Sequence, residues 1–316
     1  MNSLGRVIAG DVGGTKTLLR CVEPGGGVSA ERRYDSGRYA GFSDLLREFL
    51  TLCTGPIDAA CFAVAGEVYS GVAEVTNLNW KIDAALLERT FGIPRVALIN
   101  DFYAVALGVP LLREEDLVSL QRGRRDRTSP MAILGAGTGL GEVFVIPHAE
   151  AWIVVPTEGG HADFAPQDEE QTRIFLWLLD RHPPHVSWER LVSGMGLQNI
   201  YEFLTGRKET PAAISELAGK GDGPAKKTFE IFVDIYGAEA GNKALQALAR
   251  GGVFLAGGIA AKNIAHFSDG RFMTAFLRKG RFSEMLREFP VDVIINEQVG
   301  LLGAIDMAFR LALESH

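Results

Sequence analysis

The sequence predicts an α/β fold of two successive halves, each with a mixed sheet and covering helices. Three observations predict it. Short apolar runs flank a glycine-rich turn at Gly10–Thr15, the same arrangement recurs at Gly135–Gly141, and strands then alternate with amphipathic helices. The 316 residues, 47% of them hydrophobic, are enough for two domains with sizeable cores. The repeat indicates a duplicated architecture with a cleft between the copies.

The predicted elements follow from apolar runs and helical spacing. Strands are expected over residues 6–10, 17–22, 58–64, 71–76, 95–100, 131–134, 142–146, 152–155, 252–256 and 291–295. Helices are expected around Leu45, Leu46, Phe49, Leu50 and Cys53, from Asp83 to near Gly92, over Phe102–Leu107, around Phe229–Ala240 and over Gly300–Leu313. Because hairpins come first and strand–helix units follow, each sheet should be mixed, with helices on its faces.

The two glycine-rich turns are candidate phosphate sites. Glycine permits positive φ and a close approach to a ligand, and successive backbone N–H groups bind anions. Neither turn has the Gly-Lys-Ser/Thr ending of a P-loop, and neither opens a helix as a dinucleotide fingerprint does. Taken singly, each could be an ordinary hairpin turn. Facing each other, the two turns would hold a polyphosphate, and Asp11 could hold Mg²⁺ through water.

A carboxylate and an amide follow the apolar run Arg95–Ile99. Asn100 and Asp101 come directly after it, where ligands of α/β folds bind. Asp101 could therefore take the proton of a hydroxyl group. The alternative, which the local sequence alone favours, is that Asp101 caps the helix Phe102–Leu107.

A third cluster follows the expected strand at Trp152–Val155. Glu158, two glycines and His161 are adjacent, and Glu189 comes later. Carboxylates and an imidazole, brought together by glycines, suit a ligand rich in hydroxyls. Zinc bound by Glu158 and His161 is the competing interpretation, but the two glycines disfavour the helix on which that spacing would work.

Composition excludes several classes of function. The net charge of −7 argues against a nucleic-acid surface, and no apolar stretch is long enough to span a membrane. The run Val7–Ala9 is too short for a signal peptide. The cysteines, Cys21, Cys53 and Cys61, form no close pair and indicate reduced core residues of a cytosolic protein. The basic stretch Arg122–Arg127 is interpreted as a solvated loop between a helical stretch and the strand at Met131.

In their order along the chain, these motifs resemble those of the bacterial glucokinases in the hexokinase–actin–Hsp70 ATPase superfamily. The matching segments span nearly the whole chain and are Gly10–Thr15, Thr76–Trp80, Ile99–Phe102, Gly135–Gly141, Glu158–His161 with Asp163–Pro166, Glu189–Arg190 with Ser193–Gly194, Gly252–Phe254 with Ala256–Ile259, and Gly300–Gly303. The resemblance implies a two-domain actin-like ATPase (ribonuclease H-like) fold with mixed sheets and an interdomain cleft. It implies a small α/β domain of residues 1–110 and 301–316, with the first phosphate turn. Residues 111–300 would form a large α/β domain with the second turn and part of the sugar site.

The resemblance also implies an activity, the phosphorylation of glucose at its 6-hydroxyl, with ATP and Mg²⁺. Asp101 would be the general base and would bind the sugar together with Asn100, Glu158, His161 and Glu189. ATP would be bound by Gly10, Asp11, Gly13, Gly14, Thr15, Gly137, Thr138, Gly257 and Gly258, and Asp11 would hold the hydrated Mg²⁺. We expect a cytoplasmic homodimer that binds neither nucleic acid nor membranes.

Rival functions differ in donor, acceptor or chemistry. The same transfer could use ADP or polyphosphate, or act on another hexose. A non-catalytic sugar sensor would need a DNA-binding extension, for which the sequence before Gly10 leaves no room. An actin-like or chaperone-like ATPase is disfavoured by the cluster at Glu158 and His161.

Two residues depart from the family pattern: Lys16 stands where an Asn or similar residue is usual, and Glu67 where many relatives have Pro.

Overall fold

The computed structural model describes residues 5–75, 78–149 and 151–314, and its contacts divide them into two compact units. One unit consists of the chain up to Leu112 together with the stretch from Gln298 onward, and the other is Arg113–Glu297. The first unit is therefore built from two separate parts of the sequence.

Strands and helices alternate through both units. The strands are β1 (Arg6–Val12), β2 (Lys16–Val22), β3 (Val28–Asp35), β4 (Ile57–Val64), β5 (Val68–Tyr69), β6 (Val72–Val75), β7 (Trp80–Asp83), β8 (Val96–Asn100), β9 (Leu117–Gln121), β10 (Met131–Ala136), β11 (Leu140–His148), β12 (Ala151–Thr157), β13 (Gly252–Ala256) and β14 (Val291–Ile294). The helices are α1 (Phe42–Leu50), α2 (Ala84–Phe91), α3 (Asp101–Gly108), α4 (Glu169–Arg181), α5 (Gly194–Thr205), α6 (Pro211–Gly219), α7 (Gly223–Ala247), α8 (Gly258–Lys262), α9 (Ile264–Phe267), α10 (Arg271–Leu277), α11 (Ser283–Leu286) and α12 (Val299–Glu314). Within these described ranges, no helix has the length and apolar character needed to cross a bilayer.

The main sheet of the first unit has the strand order β3-β2-β1-β4-β8. β1 runs antiparallel to β2 and parallel to β4, and β4 runs parallel to β8. Ile8 and Val12 of β1 pack in one core cluster with Phe49 of α1, and α12 packs against β1 and β4. Since side chains alternate across a strand, helices can cover both faces of this sheet.

The sheet of the second unit repeats this plan. Its order is β12-β11-β10-β13-β14-β9, and β10 runs antiparallel to β11 and parallel to β13, which runs parallel to β14. Five of its strands therefore match β3-β2-β1-β4-β8 in order and direction. The predicted α/β class with mixed sheets is confirmed, and the repeated order supports the duplicated architecture.

Helix ends follow the capping residues of the sequence. α2 begins after Asp83, whose side chain accepts a hydrogen bond from the Leu86 N–H at 3.0 Å. It ends at Gly92, which has a φ of 67° and so adopts the left-handed conformation that glycine tolerates. This confirms the predicted limits of that helix. α1 ends at Leu50, so Cys53 lies beyond it, contrary to expectation.

Several strands were not predicted, because they carry few apolar residues or are very short. β3 is an edge strand whose side chains are mostly exposed, so it has no apolar run to detect. β9 precedes the basic stretch Arg122–Arg127, so the prediction of a helix before that stretch is wrong.

The basic stretch Arg122–Arg127 is not wholly solvated, because Arg125 pairs with the buried carboxylate of Asp292 and lies over the Phe254 ring. Of the segment Thr76–Trp80, Thr76 and Asn77 lie outside the described residues.

The cysteines are free thiols, as predicted, but two of them are neighbours. Cys21 and Cys61 are buried, and Cys53 is half-buried. A hydrogen bond from Cys53 lowers the pKa of Cys21 to about 6. This contact could not be predicted, because Cys21 in β2 and Cys53 after α1 are far apart in the sequence and meet only in the folded unit.

Candidate active site

The first glycine-rich turn, Gly13–Thr15, joins β1 to β2. The Gly13 N–H donates to the Lys16 carbonyl at 3.0 Å, so this donor is used within the turn. Buried Ser36 supports the turn from behind, because its hydroxyl donates to the Gly13 carbonyl at 2.9 Å and its N–H donates to the Thr15 carbonyl at 3.0 Å. Among the described residues, the N–H groups of Gly14 and Thr15 have no partner, and they are the donors available to an anion.

The second turn, Gly137–Gly139, joins β10 to β11 in the same way. The Gly137 N–H donates to the Gly139 carbonyl at 2.9 Å, and the Gly137 carbonyl accepts from the N–H of Gly194, the first residue of α5, at 2.8 Å. Thr138 is exposed, and a Cβ on Gly137 would meet nothing within 4 Å. None of Gly13, Gly14, Gly137 and Gly139 has a positive φ, so these turns use the small size of glycine rather than its conformational freedom.

Gly257 and Gly258 lie beside the second turn. Gly257 has a φ of 86°, and a Cβ there would overlap the carbonyl of Ala136, the last residue of β10. It precedes α8, which begins at Gly258, and both glycines are exposed. Gly10, in contrast, is buried in β1, where a Cβ would overlap Leu19 and Phe62. The second unit thus brings Gly137, Thr138, Gly257 and Gly258 together, whereas packing alone explains Gly10.

Asn100, rather than Asp101, caps α3. The side-chain oxygen of Asn100 accepts hydrogen bonds from the N–H groups of Phe102 and Tyr103 at 2.9 and 3.2 Å. Its amide donates to the Gly66 carbonyl at 3.1 Å, so it also ties the segment after β4 to the end of β8. The capping interpretation of Asp101 is therefore wrong. The Asp101 carboxylate accepts the Phe102 N–H at 2.8 Å and a hydrogen bond from the Asn100 side chain, and the residue is exposed.

Asp11 and Asp101 form an acidic pair within the first unit. Desolvation by the surrounding protein raises the pKa of Asp11, and the negative charge of Asp101 raises it further. Desolvation also raises the pKa of Asp101, against the effect of the Phe102 N–H. Among the described residues, no three acidic, histidine or cysteine side chains form a metal cage. Two interacting carboxylates without a cage suit Mg²⁺, which keeps most of its waters and takes its remaining ligands from a phosphate.

The hydroxyl-binding candidates of the second unit lie on two segments held side by side. Both segments form single 3₁₀ turns, at Gly159–His161 and Trp188–Arg190. The Trp188 N–H donates to the Ala162 carbonyl at 3.1 Å, and the rings of Phe164 and Trp188 meet edge to face at 5.0 Å. The structure therefore brings together Glu158, His161 and Glu189.

These three candidates differ in their freedom to bind a ligand. The side chains of Glu158 and His161 are 92% and 61% exposed, and their polar ends lie 3.9 Å apart. Glu189 is half-buried and accepts the N–H of Leu140, at the start of β11, at 2.9 Å. Because one carboxylate oxygen of Glu189 already serves the second turn, that side chain links the turn to the hydroxyl-binding segments.

The zinc interpretation of Glu158 and His161 gains no support. The segment does form a helical turn, contrary to expectation, but it is a single 3₁₀ turn. No third ligand joins these two in the described part of the chain. Lys16 and Glu67, the departures from the family pattern, are both exposed.

Sequence reasoning missed two kinds of supporting residue. Ser36 and Thr157 hold backbone groups of the candidate site, and Thr157 does so by donating to the Glu142 carbonyl at 3.0 Å and accepting the Gly159 N–H at 3.2 Å. The one feature of the sequence that could have indicated Thr157 is its position directly before Glu158, and no feature of the sequence indicates Ser36. Glu142 also belongs to a buried group of charges whose other members lie far from it in the sequence.

The chain is similar to known proteins both in sequence and in fold. A family model described as Glucokinase matches residues 8–310. The chain is 41% identical to a glucokinase of Trichormus variabilis, over 96% of this chain and 99% of that protein. Among solved structures, a glucokinase from an Antarctic psychrotroph is 27% identical with a TM-score of 0.88, and the match covers 96% of this chain and 99% of that one.

A more distant solved structure shares the fold. It is a ROK family glucokinase from Streptomyces griseus in complex with glucose and AMPPNP, 20% identical with a TM-score of 0.66, and the match covers 97% of this chain and all of that one. These structures have the actin-like ATPase fold, which confirms the fold class expected from the sequence.

Proposed function

The chain belongs to the glucokinase family, and from this premise we propose that its residues transfer the terminal phosphoryl group of ATP to the 6-hydroxyl of glucose. One observation carries the assignment of roles: Asp101 is an exposed residue whose carboxylate does not cap a helix, and it lies in the same unit as the first phosphate turn. A base with a raised pKa in that place suits the removal of a hydroxyl proton.

The chemistry is an in-line displacement. The 6-hydroxyl oxygen attacks the γ-phosphorus, the bond from that phosphorus to the bridging oxygen breaks, ADP leaves, and Asp101 takes the hydroxyl proton. Within the described ranges, the N–H groups of Gly14, Thr15, Thr138 and Gly139 have no hydrogen-bond partner, and they would hold the phosphate oxygens. Because these donors are fixed by their own turns, little reorganisation is needed at the moment of reaction.

Mg²⁺ is part of the proposal, and the acidic pair supports it. Asp11 would hold the hydrated ion, which offsets phosphate charge when bound. The mutual repulsion of Asp11 and Asp101 would be relieved by a cation beside them. With the cation bound, Asp101 would stay ionised and could act as the base.

The sugar would be held by residues from both units. The proposal requires Asn100 and Asp101 to bind the same glucose as Glu158, His161 and Glu189. Each carboxylate can accept hydroxyl donors and the imidazole can donate or accept, so the set matches a polyhydroxylated ring. The Asn100 side chain already bonds to Gly66 and Asp101, whereas in the described part of the chain only one carboxylate oxygen of Glu189 is used, by the Leu140 N–H, so its second oxygen is available for the sugar.

Donor and acceptor choice is tested by a coupled assay. Glucose, mannose, fructose and N-acetylglucosamine would each be combined with ATP, ADP and polyphosphate. We expect the highest kcat/KM for glucose with ATP, in line with the glucose and AMPPNP bound by the Streptomyces griseus relative. A higher value with ADP or polyphosphate, or with another hexose, would establish the alternative function instead.

A cytoplasmic homodimer also remains part of the proposal. The free thiols suit a reducing compartment. For the dimer, β12 is an edge strand, and Ile153 on it lies opposite Ile146 of β11. Both side chains are exposed, at 47% and 39%, which supports a surface that a second copy would cover.

Gly257→Ala is expected to weaken ATP binding. The new Cβ would overlap the Ala136 carbonyl at the end of β10, directly before the second turn, so the turn must move. A displacement of about 1 Å at a reacting group can cost about a hundredfold, and we expect the KM for ATP to rise at least about tenfold. Steady-state kinetics at saturating glucose measure this.

Gly270→Ala is the matched control. Gly270 also precedes a helix, α10, and has a φ of 93°, but a Cβ there would meet nothing within 4 Å. Both positions have a positive φ that disfavours a side chain, so both variants bear backbone strain of about 1–3 kcal/mol. The KM for ATP should rise in Gly257→Ala alone, and an equal rise in both would show that strain rather than the turn is responsible.

A further inference from the structure

Three charged side chains are buried together in the second unit. The Lys243 ammonium lies 2.7 Å from the Glu142 carboxylate and 3.2 Å from that of Glu239, and their side chains are 8%, 1% and 2% exposed. Lys243 and Glu239 are one turn apart on α7, and Glu142 is on β11. Burying such charges is costly, and an apolar set of equal volume would often be at least as stable. We call these three residues the buried ion cluster.

The buried ion cluster supports the segment that contains Glu158 and His161. A Cβ on Gly159 would overlap both the Glu142 carboxylate and the Lys243 ammonium, so the backbone rests directly on these charges. Gly159 does not have a positive φ, so glycine is required here for the close approach of the backbone to these charged groups and not for its conformational freedom.

Further contacts fix the same segment to the start of β11. The Gly159 N–H bonds to the Thr157 hydroxyl, which in turn donates to the Glu142 carbonyl. A Cβ on Gly160 would overlap the Leu140 carbonyl, and the Leu140 N–H is held by Glu189. Hence the three hydroxyl-binding candidates of this unit all depend on the first residues of β11, and Glu142 is the charged one among those residues.

We propose that the buried ion cluster positions the glucose-binding segment, with the ion pair of Glu142 and Lys243 holding Gly159 so that Glu158 and His161 face the sugar. Glu142 is thus a positioning residue that does not itself touch glucose. This inference rests on the proposed function, because it assumes that Glu158 and His161 bind the sugar.

The electrostatics of the cluster make this role dependent on pH. Desolvation raises the pKa of Glu142 to about 7, and the charge of Glu239 contributes, while Lys243 acts in the opposite direction. The other groups around it are Tyr236, whose hydroxyl donates to the Leu134 carbonyl, and Lys279, which reaches Glu239 through Asn242. Glu158 and His161 lie on the segment above. Lowering the pH through about 7 therefore protonates Glu142 and weakens its pair with Lys243.

The test compares Glu142→Gln with the wild type in steady-state kinetics at several pH values. Glutamine keeps the shape but lacks the charge, so it mimics the protonated form at every pH. At pH values above 8 we expect the KM for glucose to rise about tenfold in the variant, equivalent to about 1.4 kcal/mol, with kcat and the KM for ATP little changed. Near pH 6 the ratio of the two KM values should approach one. A ratio of one at every pH would overturn the proposal.

Glu170→Gln is the control for the loss of a carboxylate. Glu170 also pairs with a lysine of α7, Lys227 at 2.8 Å, but this pair is partly accessible to solvent. The KM for glucose of Glu170→Gln should equal that of the wild type at every pH. Glucose 6-phosphate formation by the wild type tests the proposed function separately: an inactive wild type contradicts both inferences, whereas an active one with a ratio of one at every pH contradicts only the positioning role.

Gly159→Ala approaches the same contact from the other side and serves if Glu142→Gln does not fold. Its methyl group must displace the segment from the cluster, so the KM for glucose should rise at every pH while the KM for ATP stays unchanged. Gly219→Ala, at the end of α6 where a Cβ meets nothing within 4 Å, should match the wild type. An unaltered glucose KM in Gly159→Ala would overturn the proposal.

Discussion

Asp101→Asn is expected to lower kcat for glucose phosphorylation by about 10²–10⁴-fold, the usual contribution of a general base. Asparagine has the same shape and can still accept the Phe102 N–H, which the Asp101 carboxylate accepts at 2.8 Å. Asn100 continues to cap α3, so the helix should keep its position. The KM values for glucose and ATP should therefore change far less than kcat does.

The pH profile separates a base from a structural residue. Because desolvation raises the pKa of Asp101, the acid limb of the wild-type rate should lie above the pH at which an ordinary aspartate titrates, and activity should fall as pH decreases through it. The residual activity of Asp101→Asn should lack this limb.

Asp44→Asn provides the control, since Asp44 is an exposed aspartate in the first turn of α1 in the same unit. It should keep the wild-type kcat and pH profile. If Asp101→Asn also kept near-native turnover, Asp101 would not be the base.

His161→Ala and Glu158→Gln are expected to weaken glucose binding without weakening ATP binding. Each loses polar contacts that the sugar would bury, and an unpaired buried polar group costs about 1–3 kcal/mol, or about tenfold to a hundredfold in affinity. Their side chains are largely exposed without sugar, so removing them should leave the melting temperature nearly unchanged. Isothermal titration with glucose, and separately with an ATP analogue, measures the two affinities.

His148→Ala and Glu284→Gln are matched controls in the same unit. Both residues are exposed, His148 at the end of β11 and Glu284 in α11. They should bind glucose as the wild type does. Unchanged glucose affinity in His161→Ala and Glu158→Gln, or a metal bound stoichiometrically by the wild type at these residues, would contradict the sugar-binding role.

The strands of the core could be predicted, because their apolar runs are continuous. β13 was predicted to the residue, and β1, β4 and β10 nearly so. β3 could not be predicted, because pairing with β2 rather than burial makes it a strand. The repeated strand order also follows from the sequence only in part, since which strands become neighbours is decided by long-range pairing.

For the candidate site, sequence reasoning finds residues in local motifs and misses those that support them from afar. Glu158 and His161 are adjacent in the chain and in space. Ser36 supports a turn more than twenty residues away, and its hydrogen bonds leave no pattern in the sequence. The capping hypothesis for Asp101 was wrong because a neighbouring asparagine is as good a cap, and local propensity cannot choose between the two.

The split organisation of the first unit has a consequence for synthesis on the ribosome. α3, whose first residue is Asp101, packs against α12, and the two helices approach so closely that a Cβ on Gly108 or Gly303 would overlap the partner backbone. α12 is translated only after the whole of Arg113–Glu297. The second unit can therefore fold while the first is still missing the helix that covers β1 and β4. In the nascent chain, the turn Gly137–Gly139 can therefore be in place before α3, whose first residue is Asp101, gains its packing partner α12.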